Sequence, residues 1–376
     1  MKLLIFAQKV DLRDSVLSFF HLWITELAKH FETVKVVCLY EGTHDLPANV
    51  EVFSLGKEVG VSRVKYVYRF FKYALTLRKD YDVVFVHQNQ EYAILGGPLW
   101  KIMGKPVYMW RNHYAGSFLT DMAAFFCTKV FCTSKFSYTA KFKNTVFMPV
   151  GVDTEIFNFR PETVRIPHSI LSVGRISPSK KLDQLIEALG ILKKEGIDFS
   201  VLFIGNVSSQ DVGYFESLER RTADLHIDER VTFKAGVPNS ELPAIFSAHE
   251  IFVNLSPSGM FDKTIFEAMA CGALALSCNK NLIGKIDSAY LFKEDDVSEL
   301  TAKIRSLLEL SIDDRRARAL SVRKFVQDNH SLSMLGTRLA EEMRSGGPSF
   351  RRLRALIAGY PSSALSRKDP PTAKLQ

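Results

Sequence analysis

The chain has 376 residues, 47% hydrophobic and 24% charged, which fits a globular protein of about two domains. With Gly at 21 and Pro at 14, collagen-like and low-complexity chains are excluded, and 28 Phe supply ample core material. The net charge of +8 is uneven: residues 1–160 carry 20 Lys/Arg against 14 Asp/Glu, 161–343 carry 22 against 26, and 344–376 carry 7 against 1. A basic first half and a basic tail around an acidic middle suggest two lobes with different partners.

In chain order, the first half alternates short apolar strands, predicted at 2–7, 34–39, 50–54, 83–87, 107–110, 130–133 and 145–148, with amphipathic helices at 15–30 and 64–78. In the second helix Val64, Val67, Tyr68, Phe71 and Leu75 recur at three- and four-residue spacing. Buried strands alternating with helices predict an α/β fold with a parallel sheet covered on both faces. A Pro-punctuated stretch without a period, 150–168, separates this first domain (1–149) from a second (169–330). There strands are predicted at 169–173, 200–205, 230–234, 251–254 and 273–277, with helices at 182–194, 213–224, 240–248 and 264–271. Helices follow at 297–310, 313–329 and 331–344; a C-terminal helix, 331–345, is expected to pack back on the first domain, and 346–376 reads as a loose basic tail. Two doubly wound, Rossmann-like sheets in tandem would face each other across a cleft at the carboxyl ends of their strands.

No run reaches the ~18 apolar residues of a spanning helix; the nearest, 93–110, is broken by Lys101, Lys105 and two prolines. The start, MKLLIFAQKVD, has an apolar run of strand length and no small-residue cleavage site, so a cytosolic location is expected. Cys38, Cys127, Cys132, Cys271 and Cys278 form no CxxC pair and match no zinc spacing, and read as reduced core thiols.

Two segments carry chemistry. In Ser172-Val-Gly-Arg-Ile-Ser-Pro-Ser-Lys-Lys-Leu-Asp a strand ends at Gly174, and Arg175 and Lys180 follow on a loop before a helix. Gly lets backbone pass close to a ligand, and a guanidinium with an ammonium suits phosphate oxygens; a solvated loop is the alternative. In Leu255-Ser-Pro-Ser-Gly-Met-Phe-Asp-Lys-Thr-Ile-Phe-Glu-Ala-Met-Ala-Cys-Gly a strand end turns into a helix near Thr264, whose free N–H groups and dipole favour an anion. Glu267, one turn in, could reach vicinal hydroxyls, or could be a favourable acidic residue near a helix N-terminus.

SVGRISPSKKLDQLIEAL and SPSGMFDKTIFEAMACG together resemble the motifs of the retaining, nucleotide-sugar-dependent glycosyltransferases of the GT-B fold, in the group 1 class called glycosyltransferase family 4. Met148-Pro-Val-Gly-Val-Asp resembles the family's linker, and Val231-Thr-Phe-Lys-Ala-Gly-Val-Pro its nucleotide-base segment. The resemblance is strong over 145–310 and one of pattern before that. It implies that Arg175 and Lys180 hold the donor diphosphate beside Gly174, and that Glu267 binds the ribose. It also implies that backbone between Gly259 and Thr264, flanked by Ser258, meets the sugar and β-phosphate, and that Gly236 and Val237 flank the base. His113, in Trp110-Arg111-Asn112-His113, is implied to face the donor sugar from the first domain; a structural or merely exposed His is the alternative. Lys9 and Asp11 lie in a charged loop where relatives have glycines, either touching the acceptor or simply solvated.

Two departures stand out. The family's first glutamate, eight positions before Glu267, is Gly259 here, and its EGFG turn reads Gly259-Met260-Phe261-Asp262; Asp262 and Lys263 are candidates for the missing polar contacts. Lys181 stands where a Gly is usual. No paired-Asp motif for a divalent metal is evident, so no metal and no cofactor are expected, the donor being an NDP-sugar (UDP or GDP) substrate. The resemblance therefore implies a retaining, metal-independent transferase acting on a saccharide or lipid-linked acceptor, in cell-surface glycan biosynthesis. The aromatic–basic stretch Tyr66, Tyr68, Arg69, Phe70, Lys72 and Tyr73 could touch an anionic membrane surface on its cytoplasmic side, or could be a core helix with a solvated cationic face. A sugar-nucleotide epimerase lacks a convincing carboxylate pair, a degenerate non-catalytic binder is motivated by Gly259, and nucleic acid has no basic–aromatic module to support it.

Overall fold

A computed structural model describes residues 1–14, 17–159, 163–259 and 261–346; Met260 and the tail from residue 347 lie outside the described residues. In the first lobe the strands are β1 (Leu3–Val10), β2 (Val34–Glu41), β3 (Val50–Ser54), β4 (Val83–His87), β5 (Val107–Trp110), β6 (Lys129–Cys132) and β7 (Thr145–Phe147). They form a seven-stranded sheet in the order β3-β2-β1-β4-β5-β6-β7, with the paired registers all parallel. In the second lobe β8 (Ser169–Val173), β9 (Ser200–Ile204), β10 (Val231–Lys234), β11 (Ile251–Asn254) and β12 (Leu274–Ser277) form a five-stranded parallel sheet ordered β10-β9-β8-β11-β12. In both sheets the winding reverses beside the first strand, between β1 and β4 and between β8 and β11. The adjacent connections then leave on opposite faces, which opens a crevice at the carboxyl ends.

The helices of the first lobe are α1 (Phe19–Ala28), α2 (Arg63–Thr76), α3 (Gln90–Ile102) and α4 (Phe118–Phe126). Those of the second are α5 (Leu182–Lys194), α6 (Val212–Asp224), α7 (Leu242–Ala248), α8 (Lys263–Ala270), α9 (Val297–Leu308) and α10 (Ile312–His330), before α11 (Leu332–Ser345). Helix α1 is shorter than the predicted 15–30. Helices α3 and α4 were not predicted: Gly96, Gly97 and Pro98 sit inside α3, where intrinsic propensity argues against a helix, and packing against α4 overrides it. The α2 stripe needs correction. Val64, Val67, Tyr68 and Leu75 are exposed, while Phe70 and Ala74 are buried with Phe70 against Phe6 and Tyr92. The helix carries two apolar stripes, and only the second meets the sheet.

Each face of the first sheet has its own core. Phe20, Trp23, Ile24 and Leu27 of α1 cover one face together with Leu335, Leu339 and Met343 of α11, whereas Phe70, Tyr92, Trp100 and Ala123 cover the other. Helix α11 thus belongs by packing to the first lobe, and Tyr108 Oη donates to Met343 O at 3.0 Å. The chain crosses between lobes at 149–152 and again at 330–332, and the crossings hydrogen-bond to each other: Val152 N–H donates to His330 O at 2.9 Å and Leu332 N–H to Val152 O at 2.7 Å. All five cysteines are buried and unpaired.

Candidate functional site

The site is built on the carboxyl ends of β8 and β11, the two strands flanking the reversal in the second sheet. Gly174 leaves β8 at φ +151°, a conformation open to glycine, and a Cβ there would already lie 3.6 Å from Lys180 Cε. Arg175 is exposed and makes no hydrogen bond or ion pair among the described residues, whereas Lys180, on a short 3₁₀ turn (Pro178–Lys180), reaches across to the end of β11. Ser172, Gly174, Arg175, Lys180, Asn254 and Ser256 line one crevice between the two strand ends.

Lys181 adopts φ +50° and ψ +38°, the left-handed conformation that favours glycine, so the backbone keeps the turn although the residue differs. Holding a side chain there costs about 1–2 kcal/mol. The ammonium compensates by pairing with Glu294 at 2.9 Å and Asp295 at 2.6 Å. Burial pulls the Lys181 pKa down, but these two carboxylates outweigh it and hold it above the usual lysine value.

Asp262 is the N-cap residue of α8, yet its side chain does not cap the helix. Its Oδ2 accepts instead from Lys180 Nζ (2.5 Å), Ser256 Oγ (2.5 Å) and Asn254 Nδ2 (3.0 Å). Burial alone would raise this carboxyl; Lys180, Ser256 and Asn254 together pull it below the ordinary aspartate range. The first N–H groups of α8 are left without a side-chain cap, and Thr264 Oγ1, in the same first turn, is buried with no partner among the described residues. An uncapped helix N-terminus with an idle buried hydroxyl is an environment that favours an anion.

Glu267 is buried on α8, and Lys263 stands 3.3 Å from its Oε1. Burial raises its pKa, and the lysine counters only part of that. Lys263 also lies over the Phe19 ring of the first lobe at 5.3 Å. Phe261 is buried edge-on against Phe266 at 4.8 Å and anchors the turn rather than lining the crevice. Gly236 N–H donates to Asn206 Oδ1 at 2.9 Å beyond the end of β10, with Val237 packed on the core beside it.

The missing glutamate has a physical explanation. A Cβ on Gly259 would overlap the Cβ of Tyr114, which arrives from the first lobe. The preceding Ser258 is held from both sides: its carbonyl accepts from Ser134 Oγ (3.1 Å) of the first lobe and Asn281 Nδ2 (2.8 Å) of the second, and its Oγ accepts from Lys280 N–H (2.8 Å). Tyr114 in turn stacks on His113 at 4.6 Å, and His113 is exposed with Nδ1 accepting from Ala115 N–H at 3.0 Å. The structure therefore brings Arg175, Lys180, Asp262 and the start of α8 together, and sets His113 beside the residue that meets Gly259. Lys9 and Asp11 lie at the end of β1, where Lys9 Nζ pairs with Asp14 (2.7 Å) and Asp11 (3.2 Å) and sits over Tyr40. Tyr114, Ser134, Asn254 and Ser256 carried no sequence signal beyond being polar or aromatic residues near strand ends.

Residues 156–321 match the family model described as glycosyl transferases group 1. The chain is 29% identical over 219 residues to the GDP-mannose-dependent alpha-(1-6)-phosphatidylinositol monomannoside mannosyltransferase of Mycolicibacterium smegmatis, covering 52% of this chain and 54% of that one. It is 30% identical over 106 residues to mannosylfructose-phosphate synthase of Agrobacterium fabrum, covering 27% and 23%. These alignments span about half or less of the relatives' own lengths. The solved structure of Anabaena Alr3699/HepE in complex with UDP superposes with a TM-score of 0.72 at 19% identity, over 92% of this chain and all of that one. The chain thus has the GT-B fold, and residues 156–321, most of its second lobe, are similar to the glycosyl transferases group 1.

Proposed function

We propose that this protein transfers a sugar from a nucleoside-diphosphate sugar to a hydroxyl of a saccharide or lipid-linked acceptor, with retention at the sugar and without a divalent metal. The observation that carries the reading is that Arg175, unpartnered among the described residues, lines one crevice with Lys180 at the β8/β11 reversal, near the uncapped start of α8. Breaking the bond from the sugar carbon to phosphate leaves its electron pair on the diphosphate, and preorganised cations and amides stabilise that developing charge. The acceptor oxygen forms the new bond on the face the diphosphate vacates, and its proton passes to the departing phosphate oxygen. In this reading Glu267 holds the ribose, Gly236 and Val237 flank the base, and His113 donates to the donor sugar from across the cleft. Lys9 and Asp11 belong to the acceptor side.

The M. smegmatis relative is named for GDP-mannose and the Anabaena structure holds UDP, so guanosine and uridine diphosphates head the test. Thermal melts with UDP, GDP, ADP and their sugars, with and without EDTA, should show a rise from one nucleotide family that EDTA leaves unchanged. Arg175→Ala should leave the melting point alone while weakening that nucleotide about tenfold or more, the loss of a charge-assisted hydrogen bond. No shift from any nucleotide overturns the reading. A shift without turnover of any donor would leave a non-catalytic binder, the alternative that Lys180's engagement by Asp262 favours.

Among the described residues no helix is long and apolar enough to cross a membrane. The exposed Val64, Val67 and Tyr68 of α2, interleaved with Lys65 and Lys72, support peripheral binding to an anionic cytoplasmic membrane face. Co-sedimentation with anionic but not neutral vesicles at low salt is the expected outcome, and equal recovery with both would refute it.

A further inference from the structure

At the carboxyl ends of β4 and β5 the first lobe holds a pocket of about 230 Å³ lined by Gln88, Arg111, Asn112 and His113. Two of these side chains, Arg111 and Asn112, present donors that nothing among the described residues uses. The Arg111 guanidinium gives one hydrogen bond, from Nη2 to Ala115 O at 3.3 Å, and its buried Nε has no partner among the described residues. Burial lowers its pKa, and Glu91 of α3 opposes this only through space, without an ion pair. Asn112 is oriented from behind: its Oδ1 accepts from Ser137 Oγ at 2.8 Å and Thr133 N–H at 3.2 Å, which leaves the Nδ2 donors free of any partner among the described residues.

Gln88 completes the set. It is exposed and sits at φ +65°, while its N–H is tied to Trp110 O at 2.8 Å. A non-glycine residue in this conformation stores about 1–3 kcal/mol of strain, a cost that concentrates where a side chain or backbone must be aimed. No carboxylate lines the pocket. A half-buried guanidinium without a carboxylate, flanked by two amides whose donors are unspent, is complementary to a planar or tetrahedral oxyanion. The pocket is also placed for a substrate: the same segment carries Tyr114 against Gly259 of the opposite lobe.

We propose that Gln88, Arg111 and Asn112 form an oxyanion subsite that holds a carboxylate or phosphate carried by the acceptor, an inference that rests on the glycosyltransferase reading. The acceptor is then a charged saccharide rather than a neutral one, and its charge fixes which hydroxyl is presented to the donor.

The test titrates methyl β-D-glucuronide, methyl α-D-glucoside 6-phosphate and neutral methyl α-D-glucoside by calorimetry, with the donor crevice saturated by whichever nucleotide raises the melting point. Saturable binding of a charged glycoside, with none of the neutral one, is expected; the glucuronide alone assigns a carboxylate, the phosphate alone a phosphate, and both an oxyanion site of either class. Arg111→Gln should weaken that binding about tenfold or more. Gln88→Gly, which relieves backbone strain and so keeps the fold, should weaken it several-fold, and neither variant should change nucleotide affinity. Binding of neither charged glycoside, or equal binding in both variants, overturns the subsite. If no nucleotide shifts the melting point, the glycosyltransferase reading falls, and the same titration without nucleotide decides the pocket by itself.

Discussion

Replacing Asp262 with Asn should tighten the binding of nucleoside diphosphates, although it removes a well-bonded side chain. Asp262 Oδ2 lies 2.5 Å from Lys180 Nζ, so an incoming phosphate oxygen must share that ammonium with a carboxylate. Two acceptors on one ammonium stand roughly 4–5 Å apart. At an effective dielectric constant of about 20, unit like charges at that separation repel by about 3–4 kcal/mol. With the Asp262 side chain 24% exposed and the phosphate itself wet, solvent screening reduces this to about 1–2 kcal/mol, a gain of about 5–30-fold in affinity for the variant. Asparagine keeps one oxygen for Ser256 Oγ and Asn254 Nδ2. The charge-assisted bond from Lys180 is lost, costing about 1.5–3 kcal/mol and a few degrees of melting point. Calorimetry with UDP and GDP on both proteins reads the affinity, and thermal melts read the stability. Weaker nucleotide binding in Asp262→Asn would refute the reasoning, because the carboxylate would then be helping to hold the ligand rather than competing with it.

Three further outcomes are expected. Gly259→Glu, which introduces the glutamate expected there from the sequence resemblance, should destabilise the protein by about 1–3 kcal/mol through overlap with Tyr114, and Tyr114→Gly should recover most of that in the double variant; additive effects in denaturant melts would show the two do not meet. Glu267 has a raised folded pKa, so its ionisation opposes folding. The gap in melting point between Glu267→Gln and wild type should therefore be small below the ordinary glutamate value and open in the variant's favour as pH rises through the folded pKa; a gap opening the other way would mean Lys263 more than repays the burial. Leu335→Ala, at a site 1% exposed in the contact between α11 and the first lobe, should cost about 2–5 kcal/mol in denaturant melts, and a neutral result would detach α11 from that core.

Strand positions were legible where a buried apolar run was bounded by turn residues, as at β4, β8 and β11, whose limits agree with those predicted from sequence. A buried parallel strand is hydrophobic on both faces, so no periodicity need be judged. Helices were harder for a related reason. In α2 the residues Val64, Val67, Tyr68 and Leu75 make one apolar stripe, and Phe70 with Ala74 makes another; the spacing cannot say which one the sheet will cover. That choice is made by Phe6, Tyr92 and Trp100, which arrive from β1 and α3 and pack on Phe70. Helix α3 itself was hidden by Gly96, Gly97 and Pro98, residues read locally as breakers and accommodated only because α4 packs alongside.

The site divides in the same way. Arg175 and Lys180 follow the end of β8 on one short loop, and both line the crevice at the β8 and β11 ends, so local order was enough to bring them together. What surrounds them depends on pairs distant in the chain: Lys180 with Asp262, Ser134 with Ser258, Tyr114 with Gly259. Lys181 shows that a residue other than glycine can hold a conformation that favours glycine, since its φ is +50° and its charge is spent on Glu294 and Asp295. Gly259 shows the opposite relation. From one lobe it is a lost carboxylate; with both lobes present it is the space Tyr114 requires. The space was not simply emptied, because the Cβ and Cγ of Tyr114, delivered by the other lobe with His113 stacked on its ring, lie 2.4 and 3.2 Å from where a side chain at 259 would begin. A glutamate can therefore return at 259 only if Tyr114 gives way, which makes the turn of the second lobe and the Tyr114 segment of the first a single unit rather than two independent ones.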